Sequence, residues 1–275
     1  MKMFERSEIL AAISQQTSKG NPILAAGSSC GLVAKCAALG GADMLVVYST
    51  GLSRLMGLPT SRIGDSNART IEMAAEIRNV VSTVPVIGGI EAWDPMRLDL
   101  DGLLDRFWAA GYSGVINYPT ISTMGDKWRD RRGRVGLGFD REVEMIALAR
   151  KKNIFSLAYV ASADDAAAMA EAGADCIVPH VGATRGGLAG HEEGQAIQEA
   201  ILKINRINDA AKAVRQDVIL LAHGGAIAEP EDTAEVYRST DCVGFVGASS
   251  IERIPIERAV QAVAKAFKAV PMRRS

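Results

Sequence analysis

The chain has 275 residues, 48% of them hydrophobic, and carries 31 Lys and Arg against 32 Asp and Glu for a net charge of −1. Such a chain can bury a sizeable core in one α/β barrel or in two smaller domains, and its scattered, balanced charge argues against nucleic acid or a membrane surface as partner. No apolar run reaches membrane-spanning length, Met1–Glu8 lacks the apolar core of a secretory signal, and Cys30, Cys36, Cys176 and Cys242 form no CxxC pair, so the expectation is a cytoplasmic protein.

Ser7 reads as the N-cap of a short amphipathic helix, about residues 7–19, which precedes the first strand and is placed to plug one end of a sheet or barrel. Eight strand-like runs follow: Pro22–Ala26, Ala42–Tyr48, Val84–Gly88, Gly114–Tyr118, Ile154–Val160, Asp175–His180, Val218–His223 and Cys242–Gly247. They are apolar without clean alternation, as strands buried on both faces should be, and Cys176 and Cys242 read as buried thiols within them. Helical patterns lie between them at Leu32–Leu39, Thr70–Val81, Leu100–Ala110, Arg141–Lys152, Asp164–Ala172, Gln195–Val214, Glu231–Arg238 and Ile256–Val270. Gly40-Gly41, Gly111 and Gly173 end three of the helices just before an apolar run, where a helix C-cap glycine is expected. Eight strand–helix pairs predict a single (β/α)8 TIM barrel over residues 1–275, its barrel spanning about 21–270. An open doubly wound sheet is disfavoured because no GxGxxG turn follows the first strand.

Two connections are longer than such units usually need. Ser49–Asn67 contains Gly57, Pro59 and Gly64, and Thr120–Phe139 carries five Lys and Arg residues; both read as lids. In barrels the site forms where strands end and the next loops begin. Ser28, Tyr48, Ser49, Thr50 and Gly51 fall there on the first two units, and Glu91 follows the third, where it reads as a catalytic metal ligand or general acid/base, or as a charge at a helix N-terminus. Asn117 ends the fourth strand and Arg185 follows the sixth. Gly224, Gly225, Gly247, Ser249 and Ser250 follow the last two strands, where barrels often bind phosphate on backbone amides. His180 and His223 end strands six and seven and read as acid, base, hydrogen-bond donor or metal ligand. His191 falls in the loop after strand six.

The blocks GSSCGLVAK, YSTGLSRLMGLPTSRIGDSN, NYPT, VPHVGAT, LAHGGAIAEPED and GASSIER resemble those of the phosphoenolpyruvate hydrolase-like TIM-barrel family, often described as phosphonopyruvate hydrolases, within the phosphoenolpyruvate mutase/isocitrate lyase superfamily. The resemblance spans about Ile9 to Val270. It implies a hydrolase or lyase that cleaves a C–P, P–O or C–C bond next to the carbonyl of a small 2-oxoacid-type carboxylate or phosphonate, with the carboxylate on backbone amides near Ser49-Thr50-Gly51. It also implies a homo-oligomer; the pattern of the apolar C-terminal helix Ala259–Val270 fits a subunit contact and equally fits packing on its own barrel. In the superfamily an Asp-x-Asp at the third strand end helps bind Mg²⁺; here Gly89 and Glu91 stand at those positions. The aspartate of the gating loop is Thr60 here, with Asp65 a few residues on. Three options stay open: Glu91 anchoring Mg²⁺ through waters, Glu91 with His180 and His223 holding Zn²⁺, or no metal, with histidines and amides stabilising an enolate-like oxyanion. From another class, the alternative is a catalytically silent ligand-binding barrel acting as a sensor or interaction module.

Overall fold

The computed structural model describes residues 3–190 and 196–273. His191 and Gln195, the latter the expected start of the Gln195–Val214 helix, lie outside them. Eight parallel strands close on themselves: β1 (Ile23–Gly27), β2 (Met44–Val47), β3 (Val86–Gly89), β4 (Gly114–Ile116), β5 (Phe155–Val160), β6 (Cys176–Pro179), β7 (Ile219–Ala222) and β8 (Gly244–Gly247). β1 pairs with both β2 and β8, which leaves no edge. The fold is the expected (β/α)8 barrel.

Alternate side chains point to opposite faces of each strand. Met44, Val46, Tyr48, Phe155, Leu157 and Tyr159 fill the barrel interior with their counterparts from the other strands. Leu45, Val47, Ala158 and Val160 point outward into the layer beneath the helices. The first helix, α1 (Arg6–Ser18), sends Ile9 and Ile13 into the inner cluster and so closes the floor. Its start differs from expectation: Glu5, not Ser7, is the N-cap, in a capping box with Glu8, which satisfies two orphan amide donors at once. Arg6 then ties α1 to buried Asp175 at the base of β6 through Nε (3.0 Å) and Nη2 (2.6 Å).

Around the barrel run α2 (Gly31–Leu39), α4 (Ser66–Val80), α5 (Leu100–Ala110), α7 (Asp140–Lys151), α8 (Ala163–Glu171), α9 (Ile197–Val214) and α10 (Pro230–Ser239). Gly41, Gly111 and Gly173 take positive φ where three of these helices turn into strands, the conformation that glycine adopts without a steric cost. Both long connections contain a short helix that sequence periodicity did not announce, α3 (Thr50–Leu55) and α6 (Asp126–Gly133). The last helix, α11 (Arg253–Ala269), is anchored by buried Arg253 and Ile254, and from Arg258 onward each of its residues is exposed.

Candidate functional site

A cavity of about 410 Å³ opens at the C-terminal mouth of the barrel, where barrels of this kind carry their sites. On its wall are His180 and His223, just past the ends of β6 and β7 and paired there backbone to backbone. Their rings meet at 4.7 Å between centroids, edge to face. Beneath and beside them runs a chain of aromatic rings: Tyr159 lies 4.7 Å from His223, Tyr118 lies 5.4 Å from Tyr159, and Tyr48 lies 4.6 Å from Tyr118.

The two histidines are held in opposite tautomers. His223 Nδ1 lies 2.6 Å from the Val246 carbonyl; a carbonyl only accepts, so Nδ1 carries the proton and Nε2 is left as acceptor. His180 Nδ1 accepts from Gly182 N at 3.3 Å, so its proton sits on Nε2. Both rings are neutral near pH 7. Burial lowers each: His223 falls to about 4, opposed by the Val246 bond and assisted by Arg54. His180 falls well below the ordinary histidine value through burial, His223 and Lys203.

Three cations share this wall, Arg54, Lys203 and Arg253. None was singled out from sequence. Arg54 belongs to α3, stacks 5.5 Å from the Tyr48 ring centre and bonds fully buried Glu252 through Nε (2.9 Å) and Nη2. Burial works against its charge, and Glu252 more than offsets this. Arg253 bonds Glu257 at 3.0 Å and the Gly186 carbonyl at 2.9 Å, and Lys203 bonds the His180 carbonyl at 3.1 Å. Read as helix, the TGLSRL stretch would have placed Arg54 one turn beyond Thr50 and over the strand end, a signal lost when it is taken as loop. Lys203 resembles any solvated helix lysine in sequence.

The lids come from both long connections. Pro59 and Thr60 reach the cavity from one side, Ser122 and Thr123 from the other. The second lid is tied to α8, where Arg129 grips Asp165 at 2.6 and 2.9 Å and Ser122 Oγ donates to it at 2.5 Å. Its base is held by Glu142, a fully buried carboxyl on α7 that meets Asn117 Nδ2 at 2.6 Å, Thr120 Oγ1 at 2.7 Å and Ile121 N at 2.6 Å. Burial pushes Glu142 up to about 8, although those three hydrogen bonds favour its charge.

Of the residues singled out from sequence, Tyr48, His180, His223 and Ser249 line the cavity together. The others stand elsewhere. The amides expected to hold a carboxylate are largely engaged: Ser49 N donates to Thr70 Oγ1 (3.1 Å) and Gly51 N to the Tyr48 carbonyl (2.9 Å). A Cβ on Gly51 would sit 1.5 Å from Ser29 Oγ, so its role there is close packing of α3 on the first loop. Ser28 and Thr50 are buried off the wall, and Ser250 Oγ is buried without a partner. Asn117 clamps the Tyr159 backbone from both sides, at 2.7 and 2.9 Å, besides meeting Glu142. Arg185 turns outward to Asp232, 3.2 Å away. Gly224 and Gly225 have positive φ and let the loop after β7 cross that after β6, Gly225 N donating to the Gly182 carbonyl at 2.8 Å. Gly247 leaves room for Ile251, which a Cβ would meet at 2.7 Å. Glu91 is not brought to the histidines: its carboxylate accepts from Arg62 Nε at 2.8 Å and its backbone is clamped by Asn67.

The fold and this mouth define a (β/α)8 protein with a small polar cavity closed by two loops. Residues 8–270 match the family described as "Phosphoenolpyruvate hydrolase-like", and the chain belongs to that family. The ToMV resistance protein Tm-1(GCR237) of Solanum lycopersicum is 39% identical over 276 residues, which cover 98% of this chain and 36% of that protein. The chain therefore spans about a third of that relative's length. Among solved structures, a phosphonopyruvate hydrolase superposes with a TM-score of 0.63 at 17% identity, covering 98% of this chain and 92% of that one. A phosphonopyruvate hydrolase complex with oxalate and Mg²⁺ gives 0.62 at 18% over the same shares. Identities this low speak to the shared fold.

The residues present do not fit the Mg²⁺ that the superfamily implies. A Cβ on Gly89 would lie 2.5 Å from Tyr48 Cβ and 2.8 Å from the Tyr118 carbonyl oxygen, so the base of the Tyr48 side chain and the Tyr118 backbone fill the space where an aspartate side chain would stand. Glu91 is committed to Arg62, and Asp65 caps α4 and pairs with Arg97 at 2.6 Å. Among the described residues no group of three His, Cys, Asp or Glu side chains could hold a metal, and no carboxylate lines the cavity. Mg²⁺ wants hard oxygen ligands, usually with one or two carboxylates; this wall offers cations.

Proposed function

We propose that the chain is an enzyme of the hydrolase or lyase type that binds a small 2-oxoacid-type carboxylate and acts on the C–P, P–O or C–C bond next to its carbonyl. The observation that carries this reading is the pair of neutral histidines, fixed in opposite tautomers at adjacent strand ends on a cation-lined wall. The family to which the chain belongs supports the reaction class. Cleaving such a bond sends its electron pair toward the carbonyl oxygen, and a fixed donor at that oxygen stabilises the developing charge. His180 Nε2–H supplies such a donor. His223 Nε2 supplies an acceptor for a proton from water or a hydroxyl group. The substrate carboxylate is assigned to Arg54, because the amides at Ser49 and Gly51 are engaged. Glu91 serves the lid rather than the chemistry, holding Arg62 at the foot of the Met56–Asp65 arch.

His223→Ala and His180→Gln are expected to lower kcat by about 10²–10⁴ while retaining affinity for oxalate. Glu91→Gln should raise KM and leave the pH profile in place. Since His223 protonates only near pH 4, kcat/KM should stay level from neutral pH downward and fall as pH approaches that value. Full turnover by His223→Ala would remove the assignment. The second reading, a silent ligand-binding barrel, is favoured by the lack of a carboxylate base on the cavity wall among the described residues; it is the conclusion if 2-oxoacids and phosphonates bind without turnover. The exposed stripe Val260, Val263 and Phe267 on α11 supports assembly with a second copy.

A further inference from the structure

The cations on the cavity wall are distributed. Arg54 comes from α3, directly after β2, whereas Lys203 comes from α9, between β6 and β7, and Arg253 from the start of α11, after β8. In a ring of eight, β2 and β6 stand opposite each other. Arg54 and Lys203 therefore reach the same cavity from opposite sides, and Arg253 turns toward the Lys203 side through its bond to the Gly186 carbonyl in the loop after β6. Arg54 and Arg253 are each about 95% buried, and the carboxylates that hold them, Glu252 and Glu257, do not line the cavity. Among the described residues donors remain on all three: Nη1 of Arg54, Nε of Arg253, and Lys203 Nζ beyond its one bond to the His180 carbonyl. Such a wall attracts anions and opposes a divalent cation, whose aspartate position is already taken by Tyr48 and Tyr118.

We infer that Arg54 on one side, and Lys203 with Arg253 on the other, form a two-point site for a small ligand with two acidic groups, held by the donors left on the two carboxylate-paired arginines and by the Lys203 ammonium in place of a divalent metal. One group is the carboxylate; the other is a phosphoryl, phosphonyl or second carboxyl group. The inference deepens the function proposed above and rests on it for the location of the site.

Calorimetric titration of the full chain tests it, using malonate and phosphonoacetate as two-acid ligands and pyruvate as a one-acid ligand, each in EDTA and in Mg²⁺. The two-acid ligands should bind in EDTA with affinity that Mg²⁺ leaves unchanged, and whichever of the two binds tighter identifies the second group. Lys203→Met should weaken them about 10- to 100-fold, the loss of one charge-assisted hydrogen bond, and leave pyruvate unaffected. Arg54→Met made together with Glu252→Met, so that no buried charge is left alone, should weaken both ligand classes. Binding that requires Mg²⁺ would overturn the metal-free site and leave the proposed function standing. Equal affinity for one-acid and two-acid ligands, or an inert Lys203→Met, would overturn the two-point site. If no acid binds in either buffer, the proposed function fails as well.

Discussion

Gly89 shows at the scale of one residue why this barrel has no room for a carboxylate at the end of β3. Sequence alone marks the position, since Gly89 and Glu91 stand where the superfamily that the chain resembles has two aspartates. The cause is hidden from sequence, because it lies in Tyr48 at the end of β2 and Tyr118 just after β4, which meet only in the folded barrel. Restoring the missing carboxylate should therefore fail. Gly89→Asp would push against Tyr48 Cβ and the Tyr118 backbone carbonyl and bury a charge, and should cost at least about 1–3 kcal/mol on overpacking alone. Chemical denaturation would measure that loss, and titration with Mg²⁺ should show no gain in affinity. A stable, metal-binding Gly89→Asp protein would mean that Tyr48 and the Tyr118 backbone are not what closes the position. The histidines are the opposite case: both were legible as strand-end residues, but their tautomers depend on Gly182 and Val246.

At the scale of elements, apolar runs and glycine stops were enough to place the eight strands and the helices around them. The two helices missed, α3 and α6, are six and eight residues long, and α6 buries no side chain from which an apolar period could be read. That oversight hid Arg54. The base of the second lid was hidden for another reason: Glu142 sits among ordinary charged helix residues, and only the fold shows that it bridges Asn117, Thr120 and Ile121. Its raised value sets a direction. Glu142 in the folded chain is pushed up to about 8, above its ordinary 4.5, so its contribution to stability is fully present below that ordinary value and is lost as pH rises through about 8. His223, lowered to about 4, acts in the opposite sense: its contribution is present above its ordinary 6.5 and lost as pH falls through 4. Between pH 6.5 and 8 Glu142 therefore acts without opposition from His223, and wild-type stability should fall with rising pH by about 1–2 kcal/mol. Glu142→Gln, which cannot ionise, should flatten that slope in denaturant titrations. A slope unchanged by the substitution would show that Glu142 is already ionised in the folded chain.

On the scale of the whole molecule, the closed barrel leaves an apolar stripe of α11 without cover. Val260, Val263 and Phe267 of α11 are all more than half exposed, and exposed apolar surface of this extent commonly marks an interaction site. Its apolar pattern was legible in sequence, but whether the helix packs on its own barrel was not. Val263→Glu and Phe267→Glu should convert an oligomer to a monomer in light scattering while changing monomer stability little, as exposed substitutions do; an unchanged mass would remove α11 from the interface.

The most direct measurement is at the site itself, and the presence of only three histidines in the chain makes it tractable. Nitrogen-15 NMR of histidine-labelled protein reports the protonation and tautomer of each ring. The expected result is two neutral imidazoles at neutral pH, one protonated on Nδ1 and the other on Nε2, with His223 charging only near pH 4 and His180 well below the ordinary histidine value, assigned through His180→Gln and His223→Ala, and both shifting when malonate is added. Two rings that titrate together near the ordinary histidine value of 6.5, and do not respond to any small acid, would contradict a buried anion site built around His180 and His223.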